Sequence, residues 1–343
     1  KLGIHDGLGF EQPARSPILS ACLSYSLIPP QGCDPFALYR QLKQLEEEDP
    51  QLHLQFHAPT QEIHIQMMGN VQIEILKQLI SDRFHLEVEL DEGKINYKET
   101  ILEPVEGVGH YEPLRHYAEV HLLLEPLPSG SGLQITSDCP VDFLALPWQK
   151  MVLNCLDEME VPGVLTGSPI TDIKITLIAG KAHIKHTEGG DFRQSVYRAV
   201  RQGVMQAHSV LLEPFYAFHL TIPDKMVGRA MTDLERRFAV FEGPVLEDGQ
   251  AILTGRAPAS SLDGYQTEVT VYTSGLGQLV CTLDGYGPCH NEEEVIEAAG
   301  YDPDADLANP SGSVFCSHGA GVYGETAAHR KSGGCNIRSS DYR

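Results

Sequence analysis

Between residues 17 and 93 apolar and polar positions alternate with two different periods. Leu19, Ala21, Leu23, Tyr25 and Leu27 fall on one face and Ser20, Ser24 and Ser26 on the other, the two-residue repeat of a half-buried strand. Asp34 followed by Pro35 reads as an N-cap and a first-turn proline, and Leu38, Leu42 and Leu45 follow at helical spacing. Leu52, Leu54 and Phe56, then Ile63, Ile65 and Met67, alternate on either side of a turn at 58–61, which predicts a hairpin. Ile73, Leu76, Ile80 and Phe84 make a second helical stripe, and Leu86, Val88 and Leu90 a last strand. The order is βαββαβ, and two helices with one apolar face each can cover one side of a four-stranded sheet, as in a ferredoxin-like sandwich.

The same order recurs near the other end. Tyr216, Phe218, Leu220 and Ile222 alternate, Pro223 opens a helix striped by Val227, Met231, Leu234 and Phe238, and strands at 239–247 and 250–257 are joined by Asp248-Gly249, a tight-turn pair. A helix over 262–272 and a strand over 278–283 complete the unit. The segment between, 94–214, mixes strands at 117–124 and 171–178 with helices at 148–159 and 192–208. The pattern predicts an α+β chain. From 287 to 321 it is rich in Pro, Gly and Asp and reads as irregular; beyond Tyr323 it is polar and reads as disordered or foreign to the fold.

With 343 residues, 42% of them hydrophobic, the chain can fill several cores. No apolar run approaches the roughly 20 residues that span a bilayer, no signal peptide opens the chain, and its start at Lys1 reads as a fragment of something longer. Eight scattered cysteines, Cys22, Cys155 and Cys281 among them inside apolar segments, suit buried thiols in a reducing cytoplasm. A formal charge of −22 opposes non-specific coating of nucleic acid, and neither a membrane nor a DNA partner is expected.

Against that charge one stretch stands apart. From Lys181 to Gln202, Lys181, Lys185, Arg193, Arg198 and Arg201 face two acids, Glu188 and Asp191, with His183 and His186 besides. It is a loop built on Gly189 and Gly190 between a strand and a helix, and its chemistry suits RNA phosphate. If two further loops, His110–Tyr117 and Asp138–Pro147, lie beside it, the three make one tip. Other chemistry is thinly supplied. No GxxxxGK(S/T) phosphate loop occurs, and the glycines at 3, 7 and 9 precede no helix. His183, His186 and Glu188 offer an alternative reading as the ligands of a metal-dependent hydrolase, at loop rather than helical spacing. Cys289, His290, Cys316 and His318 are four weaker zinc-type ligands, without a paired CxxC.

Two ferredoxin-like units around a mixed middle domain resemble the last three domains of elongation factor G. Leu211-Leu212-Glu213-Pro214 is similar to that family's junction between its fourth and fifth domains, and Tyr265-Gln266-Thr267-Glu268-Val269 with Thr273-Ser274-Gly275 to its last helix and turn. Leu127-Pro128-Ser129-Gly130-Ser131-Gly132-Leu133-Gln134, Ile252–Pro258 and Asp191-Phe192-Arg193 resemble the tetracycline-resistance ribosomal protection branch. The resemblance covers about 1–286. It implies that residues 1–16 leave a preceding β-barrel domain, that 17–93 and 215–286 are the two ferredoxin-like domains, that 94–214 is the fourth, decoding-site domain, and that 287–343 is an extension.

The resemblance further implies a translational GTPase that binds the ribosome at the factor site, with a cytoplasmic setting. The partners implied are small-subunit RNA at the decoding centre and the large-subunit factor site. The residues implied to touch RNA are His183, Lys185, His186, Thr187, Glu188, Gly189, Gly190, Asp191 and Arg193, with Tyr111 and Asp138 beside them. GTP and Mg2+ would belong to an N-terminal domain of the parent, so no catalysis and no cofactor is expected of this chain. The branch carries a proline in its tip loop; no proline lies between Lys181 and Arg193 here. An elongation-factor-like role in translocation or on stalled ribosomes, without drug resistance, is the alternative.

Overall fold

The computed structural model describes residues 23–324, apart from 31–32, 49–51, 53, 58–61, 68–69, 91–93 and 318–319. The expectations for residues 1–16, Cys22 and His318, and the disorder expected of 325–343, lie outside the described residues. Contacts divide the chain into two units: one runs to Asn96 and takes in Val280–Leu283, the other comprises Tyr97–Leu279 and the chain from Asp284 onward.

In the first unit the elements are β1 (Leu23–Ile28), α1 (Pro35–Glu48), β2 (Gln55–His57), β3 (Glu62–Met67), α2 (Asn70–Phe84), β4 (Glu89–Leu90) and β5 (Lys94–Ile95). Asp34 caps α1 as its position predicts, its Oδ1 accepting the Phe36 N–H at 3.2 Å. The sheet order β2-β3-β1-β4 is the antiparallel ferredoxin-like order, with β3 paired to β1 from Leu23↔Met67 to Leu27↔Ile63. The core collects the predicted faces: Tyr25 and Leu27, Leu38, Leu42 and Leu45, Ile63 and Ile65, Leu76 and Ile80. The last strand is shorter than its alternation suggests, and β5 also pairs with β1.

The second unit opens with β6 (Lys98–Ile101), β7 (Val105–Tyr111), β8 (Ala118–Pro126), β9 (Leu133–Ser137), α3 (Leu146–Glu158), β10 (Ile173–Ala182) and α4 (Gly189–Gln206). It continues with β11 (Ser209–Pro223), α5 (Val227–Arg236), β12 (Val240–Phe241), β13 (Val245–Glu247), β14 (Gln250–Pro258), α6 (Tyr265–Tyr272) and the two ends of β15 (Gln278–Pro288), whose middle, Val280–Leu283, is counted with the first unit. It ends with α7 (Glu292–Ala299), β16 (Ser313–Ser317) and β17 (Ala320–Gly324).

The sheet order β12-β14-β11-β15 repeats the first unit's topology. β11 is one 15-residue strand: its first half pairs with β6 (Ser209↔Ile101) and its second with β14 (Phe215↔Pro258). Pro223 therefore ends a strand instead of opening a helix, and α5 begins only after a turn of 3-10 helix at Asp224–Met226. Ala230 and Leu234 are its buried positions; Phe238, expected on the stripe, lies beyond the helix at φ 56° and is exposed.

The middle sheet has the order β17-β16-β7-β8-β10-β9. Helices α3 and α4 bury Val152, Leu156, Phe192, Val196, Ala199 and Val200 with Val120, Leu122, Leu124, Ile175 and Leu177 of the sheet. α4 lies unusually close to β7: a Cβ on Gly109 would sit 1.9 Å from the Ser195 carbonyl oxygen, and one on Gly107 2.1 Å from that of Ala199. Of residues 287–321, read as irregular, 300–312 is so, but α7 and the β16–β17 pair are regular, and β16 joins β7 in parallel at Val314↔Tyr111.

Candidate nucleic-acid interface

Strand β10 runs to Ala182, past the end its apolar pattern suggests, because a bulge between Leu177 and Ala179 lets it keep pairing with β8 as far as Ala182↔Ala118. The chain then turns over residues 183–188 and enters α4. Two histidines shape the turn: the His183 and His186 rings stack 4.5 Å apart at 20°, and the His183 Nδ1 accepts the Lys185 N–H at 3.2 Å. Thr187 ties the turn down, donating its hydroxyl to the Tyr117 carbonyl and accepting the His183 N–H, both at 2.6 Å.

Asp191, expected at the RNA surface, is buried. Its Oδ2 accepts the Glu188 N–H at 2.8 Å, capping α4, and its Oδ1 faces His116 Nδ1 at 2.9 Å. A side chain with both oxygens so occupied organises the tip from within. Gly189 packs near Met151, whereas a Cβ on Gly190 would meet nothing within 4 Å. His183, Ile184, Lys185, His186, Glu188 and Gly190 are all exposed, Ile184 fully so.

The positive charge of this stretch is smaller at the surface than in the sequence. Arg198 and Arg201 are buried: Arg198 donates to the carbonyls of Gly312 and Gln194, and Arg201 to those of Pro162 and Gly163 and to the Tyr301 hydroxyl. Arg193 is exposed and paired with Glu158 at 3.0 Å. Lys181 and Lys185 stand at the surface, joined by Arg115 from the neighbouring loop.

That loop, 112–117, lies against the 183–188 turn as predicted, with the Tyr117 N–H donating to the His186 carbonyl at 3.1 Å. Tyr111 itself ends β7, half-buried, with the Arg198 guanidinium 5.4 Å above its ring; the outward residues are Leu114 and Arg115, the latter at φ 68°. The third loop is also at this end. Asp138 is exposed beside β10, its N–H donating to the Leu177 carbonyl, and Gln149 pins the loop by donating to the Cys139 and Leu144 carbonyls. Leu144 is buried so tightly on Gly180 that a Cβ there would lie 2.8 Å from it, while Val141, Phe143 and Leu146 stay exposed. Ile184, Leu114 and Arg115 are exposed on the same surface without having been singled out in the sequence.

Beneath loop 112–117 a buried polar chain crosses β7 and β8. His121 meets Glu106 at 2.8 Å and Glu119 at 3.0 Å; His110 meets Glu119 at 3.3 Å and Glu112 at 3.0 Å; the Tyr117 hydroxyl donates to Glu119 at 3.0 Å. Burial opposes the charge on His121, but hydrogen bonds to Glu106 and Glu119 and their negative charge outweigh it and raise its pKa to about 9. Burial likewise opposes ionisation of Glu119, and the two histidines overcome it and hold the carboxyl far below its usual range.

The metal readings fare differently. Among the described residues, the one group of three ligand-type side chains with donor atoms within 4.8 Å of one another is Glu213, Cys289 and His290. His183, His186 and Glu188 form no such group. Glu213, the buried acid of the Leu-Leu-Glu-Pro motif, accepts from His290 at both its backbone N–H (2.8 Å) and Nδ1 (2.7 Å). Burial raises the Cys289 thiol to about 11, the behaviour of an inert thiol. Cys316 sits apart from this group, at the tip.

Three family models match the chain consecutively: Elongation Factor G, domain III, at residues 20–92; Elongation factor G, domain IV, at 93–208; and Elongation factor G C-terminus at 210–295. Tetracycline resistance protein TetP of Clostridium perfringens is 30% identical over 78% of this chain and 41% of its own length. Tetracycline resistance protein TetM of Staphylococcus aureus is 30% identical over 71% and 38% respectively. The chain thus spans about two fifths of these curated relatives. A solved structure from Thermus thermophilus shares the fold, with a TM-score of 0.64 at 24% identity over 84% of this chain and 45% of that one. Ferredoxin-like topology before and after the middle sheet in sequence, and three models of one family matched in the family's order, place the chain in the elongation factor G family, with tetracycline resistance proteins among its relatives.

Proposed function

We propose that this chain is the ribosome-engaging part of a cytoplasmic translational GTPase, and that the three loops at the end of the middle sheet enter the decoding centre of the small subunit. The observation that carries this reading is the convergence of loops 112–117, 138–145 and 183–188 at one end of one sheet, with Arg115, Lys185, His186 and the uncovered Gly190 turned outward. Cations position such a surface on phosphates, and imidazoles and bare backbone admit bases. GTP and Mg2+ would be bound by a separate domain of the parent. The work done here is binding and placement, with no bond made or broken.

The test is binding of this chain to small ribosomal subunits. Lys185→Ala with His186→Ala, both at the surface, leaves folding intact and weakens binding on the order of tenfold, about 1.4 kcal/mol. Unchanged affinity overturns the reading. Its tetracycline resistance relatives favour a second, narrower one, release of tetracycline by the parent. Ribosome-stimulated GTP hydrolysis by the full-length protein, with and without bound tetracycline, separates it from a role independent of the drug.

A further inference from the structure

The tip is not complete without the chain beyond residue 295, where the family models end. Strand β16 lies along β7, and the Glu112 N–H, at the root of loop 112–117, donates to the Val314 carbonyl at 2.8 Å. The buried Ser313 hydroxyl accepts the His110 N–H at 3.0 Å, and the Phe315 ring stacks on His110 at 4.8 Å and 21°. The arginines that α4 spends internally hold the same extension: Arg198 grips the Gly312 carbonyl, and Arg201 the Tyr301 hydroxyl and the Pro303 carbonyl. The next residue along β16, Cys316, is exposed and forms one wall of a hollow of about 340 Å³, whose other walls are loop 112–117, His183 and His186.

We propose that this hollow is a socket for a single unstacked base of ribosomal RNA, and that the extension exists here to form its wall and fix loop 112–117. The inference rests on the ribosome-binding reading. Its volume lies at the small end for ligand pockets, suited to one nucleotide and too small for a helix. Its rim carries the faces that bind unstacked bases: the His183–His186 stack, the Tyr117 ring and the Arg115 guanidinium. The carboxylate of Glu112 is the acceptor for a base amino group. Lys181, its Nζ 6.0 Å over the Tyr117 ring, and the exposed Lys185 are the cations for the adjoining phosphates.

The experiment uses the 343-residue chain with small ribosomal subunits, and three readouts: co-sedimentation, alkylation of Cys316 followed by peptide mass analysis, and dimethyl sulfate reactivity of the RNA bases. Bound subunits slow Cys316 alkylation by about tenfold or more and protect one base edge. Cys316→Phe fills the hollow, abolishes that protection and weakens binding on the order of tenfold, while protection of the neighbouring sugar–phosphate backbone from hydroxyl radicals persists. A chain that co-sediments with Cys316 reacting at its free rate overturns the socket alone. Protection of Cys316 without any base whose reactivity depends on residue 316 also overturns it, in favour of a ribosomal protein contact. Failure to co-sediment overturns the socket together with the functional reading.

Discussion

Glu99 shows what a single side chain does in the middle domain. Its carboxylate is fully buried and accepts four backbone N–H groups, from Val164, Leu165, Thr166 and Ser168, and the Thr166 hydroxyl. The loop at 162–168 is wrapped on that acid so closely that a Cβ on Gly163 would lie 2.1 Å from it. Glu99→Gln keeps the shape but turns an NH2 group toward N–H donors, and we expect it to lower unfolding free energy by about 2–3 kcal/mol, read from the denaturant midpoint. Gly190 behaves oppositely. It sits in the first turn of α4 with open space around its α-carbon, so nothing internal requires glycine there. Gly190→Ala should leave stability unchanged or raise it by roughly 0.5–1 kcal/mol, yet weaken ribosome binding if RNA backbone approaches here as proposed. A variant that loses stability instead would return Gly190 to a purely structural role.

At the scale of elements, the polar chain on β7 and β8 gives loop 112–117 a pH-dependent support. His121 is held charged by Glu106 and Glu119, so its contribution is complete below its unfolded value near 6.5 and is lost as pH rises through about 9. Glu119 contributes above its unfolded value near 4.5 and loses that contribution only as pH falls through its lowered pKa. The network, which also faces His110, Glu112 and the Tyr117 hydroxyl, therefore supports the fold most fully between about 4.5 and 6.5. Unfolding measured at about pH 6 and about pH 9.5 should show a loss on the alkaline side that His121→Gln flattens; an equal loss in that variant would place the cause elsewhere.

The same strands mark where sequence reading stops. The βαββαβ units were legible because each strand and helix carries its own periodicity: Tyr25 and Leu27, Leu38 to Leu45, and Leu220 with Ile222 all lie in the cores their spacing predicts. β7 was not, since Glu106, Gly107, Gly109 and His110 break any apolar alternation; its glycines serve contact with α4 and its polar residues a partner strand. β16 was hidden for a similar reason: it joins a strand some 200 positions earlier, at Val314↔Tyr111, and no local period reports so distant a partner. The tip loops were legible as loops, but which of their charges face outward was not. Asp191, Arg198 and Arg201 look like surface residues in sequence and are consumed by the cap of α4 and by the extension.

At the scale of the whole molecule, labour is divided along the sequence. Two ferredoxin-like sandwiches each close a core of their own, and the middle sheet carries loops from three connections to one of its ends. With a net charge of −22 and only a few cations exposed at this end, binding to ribosomes should weaken moderately with salt, through a few phosphate contacts and not through general attraction. The central claim is that residue 185 lies against small-subunit RNA at the decoding centre. It is tested most directly by placing an iron chelate on Lys185→Cys and mapping hydroxyl-radical cuts on bound ribosomes, after subtracting the cuts made by the unsubstituted chain treated identically. New cuts clustered in the decoding region of small-subunit RNA are predicted; a bound chain whose new cuts fall only on large-subunit RNA, or nowhere, would contradict it.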